Sequence, residues 1–540
     1  MKQGRVLVFG IDGATFDLIL PAIRRGKLPH LAALMDEGSW GCLQSTIPPV
    51  TPMAWTSFAT GTNAGKHGIF DFSRMEGNRV RLSTAKDRKV PALWTLLSQV
   101  GRASIVLNVP FTYPPEEIQG IMIPGFDAPR VDRTVFHPES IYDELSERFG
   151  EYRFDWTFPI GKKFDLEAYL SQVKATISHR ADTSLYLLQT HPWDFFMVVF
   201  SSTDHVQHIF WQYPEGRAII EETYALVDQH LGRFLEAISE EVTVMVMSDH
   251  GAGPIRRLVY LDNWLAREGF LHRPRFTLRQ KLLKRSRASL RRLLPIHLRK
   301  RLRDRFSGLK GRLEGVEQAS AIDWERTLAY SYGMYGNIYI NRKGQTPRGI
   351  VEPQDYEAVR EEIITRLYAL KDPESGEPVV ERVYRREELY TGPCIDLAPD
   401  LVVQWRDYAY FTKRGIDQGE EVFGTELMVE ASEYPHTGTH RLEGVFIARG
   451  PRIRQQQNLQ ARIIDLAPTI LQILGEPLPS YMDGRVLQEI FDQTFPSSLP
   501  SGEKKDKEEQ AFPETKEGVA LSEEEEATLY ERLRSLGYID

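Results

Sequence analysis

Short apolar runs recur along the chain, each closed by small or polar residues. Val6–Ile11, Ala103–Val109, Phe195–Phe200 and Val242–Met247 have the length and composition of buried strands. Between the last two, Leu226, Val227, Leu231, Phe234 and Leu235 fall at helical intervals within Glu222–Ile238. Strand, helix, strand is the repeating unit of an α/β protein, and that is the expected class. Phe16–Met35 also has helical spacing, with Pro21 and Pro29 expected to break it into pieces. Val445–Ala448 predicts a late strand stopped by Gly450 and Pro451, and Asp465–Leu474 a helix after it.

The middle of the chain follows another pattern. Arg279–Arg305 predicts two basic helices broken at Pro295, Leu328–Asn341 strands and turns, and Glu357–Leu370 a helix. The expected organisation is therefore a catalytic core in two parts, 1–254 and 436–495, with an α+β cap at 255–435 inserted between them. A Ser-, Pro-, Glu- and Lys-rich linker follows at 496–521, then a terminal helix at 522–540. Ser522 and Glu525 form a capping-box pattern, Leu529, Leu533 and Leu536 share a face, and Gly537 is a stop signal. This helix is expected to dock on the body.

Composition narrows the function. The 540 residues are 41% hydrophobic and 26% charged, which excludes wholesale disorder. Two cysteines, Cys42 and Cys394, cannot build a disulfide scaffold or a thiolate zinc cluster. No signal peptide or spanning segment is recognised, so a soluble cytoplasmic protein is expected. The net charge of −8 hides an uneven map: 273–312 carries +15 and 501–540 carries −6, which leaves −17 on the other 460 residues. An acidic body argues against a specific nucleic-acid partner. The basic segment 273–312, with leucines at helical spacing, suits either a solvated cap or an anionic membrane surface.

Candidate chemistry sits where the predicted strands end. Asp12 follows Val6–Ile11, and Asp249 and His250 follow Val242–Met247 before Gly251. Ligand sites of open α/β sheets lie at such ends, although Asp before Gly is also ordinary turn chemistry. Asp204 and His208 are four apart after Phe195–Phe200, so on a helix they share a face and can chelate one ion, or merely pair. His436 and His440 precede Val445–Ala448, and His440 is the nearer to it. Thr51 before Pro52 reads either as a plain helix cap or as a nucleophilic hydroxyl at a helix start. Mixed carboxylate and imidazole ligands favour zinc first and manganese second over calcium.

Taken in order, Gly-Ile-Asp-Gly at 10–13, Thr-Pro…Ser-Phe-Ala-Thr-Gly at 51–61, Lys-His-Gly-Ile at 66–69, Asp-x-x-x-His at 204–208, Ser-Asp-His-Gly at 248–251 and Gly-Thr-His at 438–440 resemble the alkaline phosphatase superfamily, in its type I phosphodiesterase/nucleotide pyrophosphatase branch. The resemblance implies an alkaline-phosphatase-like central sheet, mixed but mostly parallel and flanked by helices. It implies two divalent metal ions, one on Asp204, His208 and His440, the other on Asp12, Asp249 and His250. It makes Thr51 the nucleophile of a covalent phosphothreonine mechanism on a small phosphorylated substrate. Neither cysteine lies in the Cys-x-Pro-x-Arg setting of the sulfatase branch. The Asn that contacts phosphate in the nucleotide-cleaving branch is not matched to a position here, and Arg441 is the one substrate-contact candidate. Phosphomonoesterase and phosphomutase share the same metal core and stand as alternatives. A peripheral membrane-binding or regulatory protein using 273–312 is the alternative of another class. Oligomeric state has no signal in the sequence. His67, inside the matching motif, is expected to be structural.

Overall fold

Successive side chains of a strand point to opposite faces, so a strand apolar at every position needs cover on both. That rule builds the centre of this protein. In the Arg5–Ile11 strand, Leu7, Phe9 and Ile11 enter one core while Val6 and Val8 enter another. The Phe195–Phe200 strand divides in the same way, Phe196, Val198 and Phe200 against Phe195, Met197 and Val199. The structure, a computed structural model, describes all residues except 1–3, 77–78, 156–164, 275–321, 347, 414–418, 425–436, 493–520, 537 and 539–540.

Eight strands form the central sheet, in the order Gln456–Arg462, Ser39–Gln44, Glu443–Arg449, Val242–Met247, Arg5–Ile11, Phe195–Phe200, Ser104–Val109 and Gly120–Pro124. Every pairing is parallel except the two made by Glu443–Arg449, which runs against both neighbours. The expected mixed, mostly parallel sheet is present. Helices cover both faces. Leu166–Thr190 and Gly216–Ala237 lie on the side of Phe9, and Thr51–Thr60 and Leu466–Leu474 on the side of Val8. Among the described residues no helix is long and apolar enough to cross a membrane.

Residues 255–424 contribute two further sheets. Ala329–Ser331, Asn337–Ile340, Leu401–Trp405 and Val380–Arg385 pair antiparallel around their own apolar core, covered by Tyr356–Tyr368. Tyr410–Lys413, Arg257–Tyr260 and Phe423–Gly424 form a smaller sheet. The terminal helix, Glu523–Leu536, begins with the reciprocal bonds its sequence announces: Ser522 N–H donates to Glu525 Oε2 at 2.9 Å and Glu525 N–H to Ser522 Oγ at 3.3 Å. Leu529, Leu533 and Leu536 pack in one cluster with Val50, Met53, Phe72, Phe126 and Tyr335. The predicted basic helices at 279–305, most of the linker, and His436 lie outside the described residues.

One expectation needs correction. Pro21 does not break its helix, which runs unbroken over Phe16–Arg24. The carbonyl that loses a donor through Pro21 is that of Asp17, and Arg217 Nη2 donates to it instead at 3.3 Å. The break falls at the Gly26 turn, and Pro29 opens the next helix, Pro29–Glu37.

One buried ion pair holds Asp155 against the central sheet. Arg180 Nη2 meets Asp155 Oδ2 at 2.7 Å, with both side chains 1% exposed, and Arg180 Nη1 donates to Val199 O at 2.9 Å. Asp155→Ala leaves a buried guanidinium without its counter-ion, and should destabilise the fold by about 3–5 kcal/mol. Urea unfolding checks this; a change below about 1 kcal/mol refutes it.

Candidate metal centre

The parallel strands all end along one edge of the sheet, and the reversed strand begins there. This is why Asp12, Asp204, Asp249 and His250 follow their strands whereas His440 precedes its own. Thr51 reaches the same edge after Ser39–Gln44, at the first position of the Thr51–Thr60 helix. The cap role is not what the hydroxyl does: Val50 occupies the cap position, and Thr51 Oγ1 lies 3.4 Å from His250 Nε2. Asp204 and His208 share a face of the Ser202–Phe210 helix, and Asp204 Oδ2 lies 3.2 Å from His208 Nε2. His440 sits on Gly438–Arg441, a strand paired antiparallel with Gly251–Pro254, so this long-range pairing just beyond His250 carries the third imidazole in.

All seven of these residues are buried and gathered together. His208 Nε2 and His440 Nε2 are 2.9 Å apart, and His440 Nε2 is 3.7 Å from Asp204 Oδ1. His250 Nε2 is 3.2 Å from Asp249 Oδ2 and 3.8 Å from Asp12 Oδ1. The His250 and His440 rings stack with centroids 3.5 Å apart. Among the described residues, two sets of ligand atoms lie close enough to hold an ion: Asp204, His208 and His440, and Asp12, Asp204 and His250. Asp204 thus belongs to both, a sharing that the sequence did not suggest.

Hydrogen bonds on the far side of each imidazole fix its tautomer. His208 Nδ1 is 2.9 Å from Gly438 O, His250 Nδ1 3.0 Å from Gly251 O, and His440 Nδ1 2.7 Å from Pro49 O. A carbonyl oxygen only accepts, so each Nδ1 carries a proton and Nε2 is the nitrogen left to face a cation. Both Asp12 oxygens, Asp204 Oδ1 and Asp249 Oδ2 are buried with no hydrogen-bond partner. Converging lone pairs and orphaned carboxylate oxygens are costly unless a cation lies among them. The donor set therefore fits divalent metal.

The electrostatics agree. Burial, with Asp249 and Asp204 nearby, drives the Asp12 carboxyl well above its usual range, and burial also raises Asp249. Burial opposes ionisation of Asp204 too, yet His208 and His440 hold it well below that range. Burial and the facing His250 push His440 far down. Carboxylates this crowded cannot all ionise on protein charges alone.

The loops are held by bonds that the sequence did not reveal. Gln207 Nε2 donates to Gly13 O at 3.0 Å, and Thr203 Oγ1 to Asp12 O at 2.7 Å. Gly13 has φ +66°, and a Cβ there would stand 2.8 Å from Asp204 Oδ1, so only glycine fits. Tyr335 Oη lies 2.8 Å from His440 Nδ1, on a turn flanked by Gly333 and Gly336 at positive φ. Those two glycines were its only visible signal. Arg441 points away from His440 by strand alternation, and its guanidinium donates to Tyr408 O, His440 O and Pro254 O. His67 is structural: Ile69 N–H donates to its Nδ1 at 3.1 Å and its Nε2 meets Ser57 Oγ at 3.0 Å.

Comparison with known proteins matches this picture. The chain is similar in fold to phosphonoacetate hydrolase from Sinorhizobium meliloti 1021, with 14% identity and a TM-score of 0.52 over 88% of this chain and 95% of that one. Murine ectonucleotide pyrophosphatase/phosphodiesterase 5 aligns with 13% identity and a TM-score of 0.48 over 90% of this chain and 100% of its own. The family model for type I phosphodiesterase / nucleotide pyrophosphatase matches residues 6–441, a span that runs from the first central strand through His440. The chain belongs to the type I phosphodiesterase / nucleotide pyrophosphatase family and is a phosphoester hydrolase.

Proposed function

We propose that this enzyme cleaves a small phosphodiester or pyrophosphate through a covalent phosphothreonine on Thr51, at a centre that takes two divalent cations, zinc before manganese. The observation that carries the reading is the set of three Nε2 lone pairs and orphaned carboxylate oxygens converging beside a threonine hydroxyl. Asp204, His208 and His440 are the residues to hold one ion, and Asp12, Asp249 and His250 the other. Bound there, the cations supply Lewis acidity and offset phosphate charge.

The protein's own part follows from geometry. Thr51 stands at the first helical position, after the Val50 cap, with its Oγ1 facing His250 Nε2 at 3.4 Å, which sets the hydroxyl in the site to attack phosphorus. Attack forms the Oγ1–phosphorus bond and breaks the bond to the leaving oxygen on the opposite side. The leaving group takes up a proton, and water then cleaves the Oγ1–phosphorus bond and frees Thr51. The N-terminus of the Thr51–Thr60 helix favours the negative charge that builds at that position. The backbone carbonyls behind the three imidazoles keep the rings from turning.

Metal analysis paired with assays on bis-p-nitrophenyl phosphate and p-nitrophenyl phosphate tests the reading. Two metals per chain and a diester preference of at least about tenfold are expected. A monoester preference transfers the protein to the monoesterase or mutase reading. No metal and no turnover on either ester refutes it.

A further inference from the structure

The terminal helix brings an aromatic side chain to the metal centre. Tyr538 is 3% exposed, and its hydroxyl donates to Asp204 Oδ2 at 2.7 Å. Its ring stacks on Phe126 and on Phe72, with centroids 5.0 and 4.9 Å away, and lies 6.0 Å from the His208 ring. Its backbone N–H donates to Leu533 O at 2.9 Å, a six-to-one bond that closes the end of the helix and aims the side chain inward. Leu529, Leu533 and Leu536 anchor this element in the cluster that also holds Val50, beside Thr51. The contact is thus built from the helix inward.

Asp204 lies in both close groups of ligand atoms, and the reading above gives it to the ion held with His208 and His440. Tyr538 engages one of its oxygens, Oδ2, and leaves the other, Oδ1, without a hydrogen-bond partner and 3.7 Å from His440 Nε2. A donor on one carboxylate oxygen fixes the plane of the group and turns the second oxygen to the metal. Such supporting bonds set ligand orientation and affinity.

We infer that Tyr538 is a positioning residue of the metal centre: its hydroxyl orients the Asp204 carboxylate, so that the terminal helix forms part of the active site. The inference rests on the metal-dependent reading above. It predicts that loss of the hydroxyl alone, with the ring kept, weakens metal binding without loosening the helix.

Zinc titration of the full-length metal-free chain against a chromogenic chelator reads this directly. Tyr538→Phe should bind one zinc equivalent about ten- to a hundredfold more weakly than the wild type. The melting midpoint of its metal-free form should be unchanged, and its diesterase rate should recover in excess zinc. Wild-type affinity for both equivalents in Tyr538→Phe overturns the inference while leaving the metal reading intact. A wild-type chain that binds no zinc removes both. Tyr538→Ala turning over faster than the wild type also overturns it, because the side chain then obstructs the site.

Discussion

Thr51→Ala should reduce diester turnover by at least about a thousandfold, with zinc content near that of the wild type. The side chain is fully buried, follows the Val50 cap position and lies 3.4 Å from His250 Nε2. Its removal deletes the atom that attacks phosphorus and little else. Alanine is also the best helix former, so the Thr51–Thr60 helix keeps its first turn. The two readouts separate the roles: a nucleophile costs rate, whereas a metal-holding residue costs zinc. Thr51→Ser, which restores a hydroxyl, should recover a measurable fraction of the rate. A Thr51→Ala enzyme that keeps most of its turnover refutes the covalent route.

Metal removal should abolish activity and lower the melting midpoint together. The stripped site leaves Asp12, Asp204 and Asp249 facing three imidazoles whose Nε2 atoms converge, all of it buried. Each ion present at about a thousand times its dissociation constant stabilises the fold by about 4 kcal/mol, so two sites give about 8 kcal/mol. With about 2 cal/mol/K of unfolding entropy per residue, a cooperative unit of this size shifts by about 7 °C. Calorimetry with and without a strong chelator measures the shift, and zinc should restore both the midpoint and the rate. Unchanged activity after exhaustive chelation refutes a metal mechanism.

The ligand residues were legible because each sits beside a strong local signal. Val6–Ile11 and Val242–Met247 are apolar at nearly every position, so their ends could be found and Asp12, Asp249 and His250 read from them. The i, i+4 spacing of Asp204 and His208 needed only a helix to become a 3.2 Å contact. Gln456–Arg462 was invisible because it lies at the sheet edge, where only Leu459 and Ala461 are buried and the rest of the strand is polar. Leu166–Thr190 was hidden by the polar residues it buries, among them Thr176, Arg180, Thr183 and Ser184. Tyr335 and Tyr538 reach the centre through tertiary packing alone, and no local pattern marks a tyrosine for that. Asp204 could be named as a ligand, but its place in both ion sets depends on how the Ser202–Phe210 helix meets the Arg5–Ile11 strand end.

The reversed strand also governs the order in which the enzyme becomes competent. Among the described residues, Ser39–Gln44, which leads to Thr51, has no sheet bonds to any strand earlier than Glu443–Arg449 and Gln456–Arg462. The five strands from Val242–Met247 to Gly120–Pro124 can pair without that late segment. During synthesis the metal-facing half of the sheet can therefore assemble while the nucleophile's strand still waits, its partners some four hundred residues away in sequence. Pairings this distant carry a large loop-closure cost and form late. The nascent chain can thus bring Asp12, Asp204, His208, Asp249 and His250 together first, whereas His440 and a positioned Thr51 both await the late segment, so the last imidazole and the nucleophile arrive together.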